Sequence, residues 1–317
     1  MSEEAKSLVT LQDLLGLKEP LIRFIDVVSE GLGKCFASYF CRKLADAKAY
    51  EIRTIAAATK KVGRNVELKY EDSAISILRN AEENRVGAGT LNSRAQERID
   101  YREKRRQQNI ERIAEAAALE FLDEQQVPDE RPSEDWISRY FDIAQDVSEE
   151  EMQKVWSRIL AGEIKAPGSF SLRALESLRL MTKHEAQYFE LMSKFAICGN
   201  ETSFVAIPDD AWISSRRGVT DTVHILLAEC DLMFPKPLWF KTLHRQKPCC
   251  DVNHHGQTLK ITQTERCGEL SIRTWCFTTV GAQLLKLIHC EPDMDYLAYV
   301  GRYCECEGAK VEFMQNR

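Results

Sequence analysis

The hydrophobic positions of this chain follow several distinct rhythms. Over residues 14–44, Leu14, Leu15 and Leu17 precede Pro20. Leu21, Ile22, Phe24, Ile25, Val28, Leu32, Phe36, Phe40 and Leu44 then recur at roughly i, i+3, i+4, which predicts amphipathic helix. Pro20 suits a first turn, where its missing N–H is not needed. Gly31 and Gly33 interrupt the stripe at about 1 kcal/mol each relative to Ala, which predicts a kink or a close helix contact. Residues 91–126 read as one long helix of another kind. Its first half carries only Leu91, Ile99 and Tyr101, and its second half recovers Ile110, Ile113, Ala114, Ala117 and Phe121. The first half cannot bury a wide face. It projects into solvent, laced by pairs such as Asp100 with Lys104, or it joins a second copy in a homo-oligomer. Pro128 and Pro132 end it.

From Ser133 to Phe195 the start signals are plain. Ser133 precedes a face made of Trp136, Ile137, Tyr140, Phe141 and Ala144. Ser148 with Glu151 has the spacing of a capping box, ahead of Met152, Val155, Trp156, Ile159 and Leu160, with a stop at or after Gly162. Ser169 or Ser171 starts a helix with Leu172, Leu175 and Leu178, and Thr182 with Glu185 forms a second box before Phe189, Met192 and Phe195. After residue 206 the pattern changes. Thr220–Asp231 is helical, Leu259–Thr262 and Leu270–Thr278 alternate as strands, and the segment around Gly268 reads as the hairpin turn between them. Thr279 caps a further helix and Pro292-Asp293 opens another, through Tyr296, Leu297, Tyr299 and Val300. Helix, hairpin, helix is the order of a winged-helix-like domain. The expected class is mainly α with a small α+β part, and the expected divisions are 1–90, 91–132, 133–205 and 206–317.

Composition narrows the function classes. The 317 residues are 44% hydrophobic and 29% charged with a net charge of −6, which argues against a protein that coats nucleic acid generally. The opening residues carry neither a basic nor an apolar leader region. The most apolar short run, CFASYFC from Cys35, is far below the ~18–20 residues that span a bilayer. Eleven cysteines without a leader predict reduced thiols and a cytoplasmic location.

Chemistry-bearing residues are sparse. Pro235–Pro248 holds Lys236, Lys241, Arg245 and Lys247 with no acid, interleaved with Trp239, Phe240 and His244. That composition suits phosphate contact and base stacking. Between Arg94 and Arg112, Arg102, Arg105 and Arg106 belong to a set of seven basic against four acidic residues, a second expected contact for DNA or RNA. Arg173, beside the PGSFS turn, is a candidate to hold an anion at a helix N-terminus. Cys249, Cys250, His254 and Cys267 are the ligand types of a zinc site, but no C-x₂-C pair is present and no metal or cofactor is expected. Glu163 and Lys165 read as surface or capping groups. Without a convergent nucleophile and base, no enzyme is expected.

The phrase WSRILAGEIKAPGSFSLRALESL, after the EEEMQK turn, resembles the shared core of an uncharacterised family of bacterial proteins, a domain of unknown function. The resemblance extends to the LGLKEPL opening and to TTVGAQLL near the end. GLKEPLIRFIDVVSEGLG also resembles the opening of some bacterial abortive-infection proteins. The first resemblance implies no established activity, and the second implies a link to phage defence. The expected function is a non-enzymatic macromolecule-binding or regulatory protein with a protein partner. One alternative is nucleic-acid binding through the C-terminal domain. Another is a membrane-associated effector whose N-terminal helices make peripheral contact with lipid, aided by Arg42, Lys43, Lys48, Arg53, Lys60, Lys61 and Arg64.

Overall fold

The computed structural model describes residues 19–33, 39, 43, 90–122, 124, 126–199, 202–243, 248–267 and 269–315. The chain divides into two compact units, residues 1–164 and 165–317. The 133–205 module expected from sequence spans that division.

The first unit is helical where it is described. It comprises α1 (Glu19–Leu32), α2 (Leu91–Leu119), α3 (Glu134–Ala144) and α4 (Glu150–Lys165), the last ending at the division. The apolar stripe of α1 is buried through Leu21, Phe24, Ile25 and Val28, packed on α3 and α2. Gly31 makes the close helix contact that its position in the stripe predicts, since a Cβ there would stand 2.5 Å from Ile137 Cγ2. Gly33, at φ +89°, ends the helix in the left-handed region. The polar half of α2 is exposed, whereas Asn109, Ile110, Ile113, Ala114, Ala117 and Ala118 are buried. Ser133 caps α3 as expected, taking the Trp136 N–H. Trp136 stacks on Tyr140, and the buried Tyr140 hydroxyl donates to the Trp156 carbonyl at 2.7 Å.

Two amides join α2 to the α3–α4 turn. Asn109 Nδ2 donates to the Gln145 carbonyl and to Ser148 Oγ, at 2.9 and 3.1 Å. Gln153 Nε2 donates to Asn109 Oδ1 and to the Val147 carbonyl, at 3.2 and 2.9 Å. The capping box expected at Ser148 and Glu151 is displaced by this network. Ser148 lies outside α4, which begins at Glu150, and its hydroxyl serves Asn109. The Gln145 and Val147 carbonyls of this half-exposed turn are met in this way.

The second unit begins with α5 (Leu172–Leu180) and α6 (Lys183–Ser193) and continues through α7 (Asp210–Arg217), α8 (Asp221–Glu229), α9 (Thr279–Leu285) and α10 (Met294–Cys306). Ser171 caps α5, and Thr182 with Glu185 closes the expected capping box on α6. Seven strands form one antiparallel sheet: β1 (Ile197–Cys198), β2 (Ser203–Ala206), β3 (Leu238–Leu243), β4 (Cys249–His254), β5 (Gln257–Thr262), β6 (Leu270–Cys276) and β7 (Lys310–Gln315). Their order is β3-β6-β2-β1-β4-β5-β7. β3 and β4 stand four strands apart in this order, about 19 Å in a flat sheet, yet their Cα atoms approach within 8 Å. The sheet therefore curls.

The expected hairpin between 259–262 and 270–278 does not form. β5 pairs with β4 and β7, and β6 pairs with β2 and β3. The cause is local. β4 and β5 are joined by the two-residue turn His255-Gly256, with φ of +47° and +89°, the geometry that matches strand twist. β4 alternates with Cys250, Val252 and His254 buried. The winged-helix arrangement expected over 206–317 is not confirmed by this seven-stranded topology. The helical N-terminal and central regions, and the mixed C-terminal part, are as expected.

Gly281 shows how tightly α9 approaches the body of its unit. A Cβ there would stand 2.0 Å from the Leu232 carbonyl oxygen, which also accepts the Thr278 N–H. The obstacle is backbone, so it cannot rotate away. Gly281→Ala is expected to destabilise the protein by about 1–3 kcal/mol or more, read as a lowered midpoint of urea unfolding.

Candidate functional site

The basic–aromatic strip falls on the edge of the sheet. Lys236 lies in the exposed approach to β3, and Trp239 sits in the strand with 65% of its surface exposed. Lys241 pairs through its backbone register with Ser271. His244, Arg245 and Lys247 lie outside the described residues. Two side chains not named among the expected contacts join the patch, Phe234 and Leu238, both exposed.

The direction of the backbone groups follows from β6. The Arg273 carbonyl accepts from the Ile207 N–H at 2.8 Å, and the Cys276 carbonyl accepts from the Phe234 N–H at 2.9 Å. Odd positions of β6 thus face β2, and even positions face β3. Leu238 and Phe240, opposite Thr274 and Ile272, commit their backbone groups to β6. Trp239 and Lys241 turn theirs toward the open edge. The edge is short. Pro235 and Pro237 precede it, and the register shifts between Lys241 and Leu243, both devices that limit unwanted strand pairing.

The remaining candidates are occupied otherwise. In the first unit, Arg106 grips Asp146 through two nitrogens at 2.8 and 3.0 Å, and Arg102 meets Glu103 at 3.1 Å. Arg105 is exposed. In the second unit Arg173 is exposed at the start of α5, but the cap beside it is served internally. Ser171 N–H and O–H both donate to Gln283 Oε1, at 3.0 and 2.8 Å, while Ser171 Oγ takes the Ala174 N–H. Glu163, expected at the surface, is instead 2% exposed. It lies on the inward face of α4 with Leu160 and Ile164 and has interaction partners there. The apolar face of α1 is buried in the described part of residues 14–44, and no described helix is long and apolar enough to cross a membrane.

The cysteine–histidine set does not converge. Cys249 is exposed, while Cys250 and Cys267 are buried. Among the described residues no three His, Cys, Asp or Glu side chains could together hold a metal ion. Burial pushes the thiols of Cys267, Cys276 and Cys304 upward, that of Cys304 to about 12, so they are protonated and poor nucleophiles.

His254 is a fixed structural group. Its Nδ1 meets the Ala196 carbonyl at 2.9 Å, and its Nε2 accepts the Asp293 N–H at 3.0 Å, which assigns the proton to Nδ1. Burial pushes its pKa down to about 4, with the Ala196 carbonyl opposing that shift. A neutral imidazole is thus preferred in the fold, whereas the unfolded chain takes up a proton near 6.5. The stabilisation is fully present above pH 6.5 and is lost as pH falls from there toward about 4. It amounts to about 3 kcal/mol. Urea unfolding across that window is expected to show this fall in the native chain. In His254→Gln a smaller slope should remain, from His224, whose pKa burial also lowers, and at the acid end from Glu185 and Glu312, whose carboxyls the Thr182 N–H and Lys310 respectively hold below the usual range.

A family described as "Protein of unknown function (DUF2806)" matches residues 93–301, from the first turn of α2 into α10. No curated protein and no solved structure matches the chain. The matched span is about two thirds of the sequence and includes the WSRILAGEI phrase, the β3 strip and the TTVG turn. The chain belongs to the DUF2806 family of proteins of unknown function.

Proposed function

We propose that this is a non-enzymatic, cytoplasmic binding protein that recognises a protein partner through the β3 edge, with Trp239 as the anchor. The carrying observation is the contrast among its five tryptophans. Trp136, Trp156 and Trp275 are buried, and Trp212 lies flat on Tyr299 at 4.2 Å. Trp239 alone stands 65% exposed. An indole in water forgoes a large apolar burial, and tryptophan is the side chain most enriched at the energetic centres of protein interfaces. Phe234 and Leu238 extend the patch, and the outward backbone groups of Trp239 and Lys241 offer directional hydrogen bonds to a partner. The non-enzymatic reading is supported by how the reactive types are engaged, with both His254 nitrogens bound to backbone and the buried thiols held protonated.

A second reading draws on the exposed Lys236 beside Trp239. The pair suits a phosphate and a stacked base. The acidic overall charge and the commitment of Arg106 to Asp146 weigh against it.

The two readings separate in one set of measurements. A photo-crosslinking amino acid at position 239 in cells should capture a defined protein that the same probe at the exposed Arg139 does not. Trp239→Ala should then weaken the purified pair about tenfold or more, with an unchanged melting temperature. A pair indifferent to Trp239→Ala, or no capture at 239, removes the β3 reading. Binding of a short duplex that falls steeply with salt, and is lost in Lys236→Glu and Trp239→Ala, transfers the surface to nucleic acid.

A further inference from the structure

The opposite edge of the sheet is built differently, and its backbone directions can be assigned in the same way. The Gln263 N–H donates to the Pro248 carbonyl at 2.7 Å, so odd positions of β5 face β4 and even ones face β7. The residues of β7 opposite Thr258, Lys260 and Thr262 are Met314, Glu312 and Lys310. These commit their backbone groups to β5. The N–H and C=O groups of Val311 and Phe313 therefore point away from the sheet, where no described strand lies. β7 pairs with β5 over six residues without a register shift and contains no proline. Phe313 is 50% exposed and Met314 40%. This edge lacks the prolines and the register shift of β3, leaving it open to strand addition.

We propose that β7 pairs antiparallel with β7 of a second copy of this chain, about a two-fold axis at Val311. The strand is self-complementary in that register. Val311 faces Val311 as a hydrogen-bonded pair. Lys310 of each copy stands opposite Glu312 of the other, in the non-hydrogen-bonded positions where side chains come closest. Within one copy these two already pair along the strand, so the dimer exchanges each for an equivalent partner. Phe313 falls opposite Ala309, and Met314 runs beside Gly308, so the large apolar side chains meet the smallest residues of the segment.

The ladder has a defined end. The Ala309 N–H is already given to the Cys304 carbonyl at 3.0 Å, so Phe313 can donate to the Ala309 carbonyl of the other copy but receives no bond in return. The helix layer also fits. α10 packs over both β5 and β7, and a Cβ on Gly301 would stand 3.3 Å from Val311 Cγ1 and 3.4 Å from Phe313 Cζ. With strands ~4.8 Å apart, an α10 seated over the β5–β7 pair meets its symmetry mate at about 10 Å, a normal interhelical distance. Association of this kind is isologous and closes on itself, so it gives a dimer and not a fibre.

The test is the mass of the full chain by sedimentation equilibrium across a micromolar concentration series. The native chain is expected to sediment as two 36.3 kDa chains. Val311→Pro removes an outward N–H that β5 does not use and should weaken the dimer about tenfold or more, about 1.4 kcal/mol. Glu312→Lys, which sets lysine against lysine, should do the same, and the double variant Lys310→Glu/Glu312→Lys should restore it. Circular dichroism reports whether Val311→Pro remains folded, and the charge pair carries the test if it does not. A native chain that stays monomeric, or a dimer that Glu312→Lys leaves intact, overturns the proposal. Neither result touches the β3 reading, which concerns the other edge.

Discussion

The C-terminal unit hangs on one buried hydroxyl. Tyr296 accepts the Ala206 N–H at 2.7 Å and donates to the Ala206 carbonyl at 3.0 Å, so a single side chain satisfies both backbone groups at the end of β2. Its ring meets Phe195 and His254 edge-on. His254 in turn takes the N–H of Asp293, whose carboxylate caps α10 at the Tyr296 N–H, 2.9 Å, and holds Arg217 of α7 through two oxygens at 2.7 and 3.2 Å. Against burial, which raises it, the Arg217 guanidinium keeps the Asp293 carboxyl below its usual range. In so dry a setting each bond is strong and each unmet group costly. The ends of β2 and β4, the α6–β1 corner, α7 and α10 therefore have one mutually compatible placement.

That placement determines what the sheet can offer. With α10 packed over β5 and β7, β7 stays in register with β5 through Gln315, and the backbone groups of Val311 and Phe313 face outward. The curl of the sheet brings β3 back toward β4 and β5 while Trp239 remains in solvent. Curling without closure leaves two edges, as it must for a sheet that is not a barrel. The molecule treats them unequally. One is interrupted and aromatic, suited to an anchoring contact over a short length. The other is regular and charge-paired, suited to continuous pairing.

How much of this the sequence shows depends on whether the signal is local. Ser133, Ser171, Thr182 and Asp293 each cap the helix that their position predicts, because a cap is decided within four residues; at α9 the cap is Thr278, not the expected Thr279, because it is the Thr278 hydroxyl that takes the Gly281 N–H. Ser148 fails for a nonlocal reason: Asn109, 39 positions away, claims its hydroxyl. The strand character of Leu270–Cys276 is legible from alternation, but its partners are not, since β2 and β3 come from distant segments. β4 is hidden because its buried positions include Cys250 and His254, types that composition assigns to metal chemistry. Here Cys250 is a small apolar residue and His254 a pair of backbone hydrogen bonds. The Lys236–Trp239 patch is legible as composition. That it lies on an edge strand, with Trp239 outward, follows only from the register with β6.

The two amide and imidazole networks show why buried polar groups were the hardest part to read. Asn109 and Gln153 in the first unit, like His254 in the second, are buried polar side chains whose partners are largely backbone carbonyls or N–H groups at turns. Their value lies in what would otherwise go unmet. Replacing any one leaves a buried donor or acceptor without a partner, a cost of about 1–3 kcal/mol, whereas the bond itself contributes about 1 kcal/mol. Such residues specify a unique arrangement more than they strengthen it, and they look like candidate chemistry until their partners are known. A side chain whose donors and acceptors are all bound to its own backbone has no capacity left for a ligand. The outward backbone groups of β3 and β7 differ in kind, since no described strand takes them up.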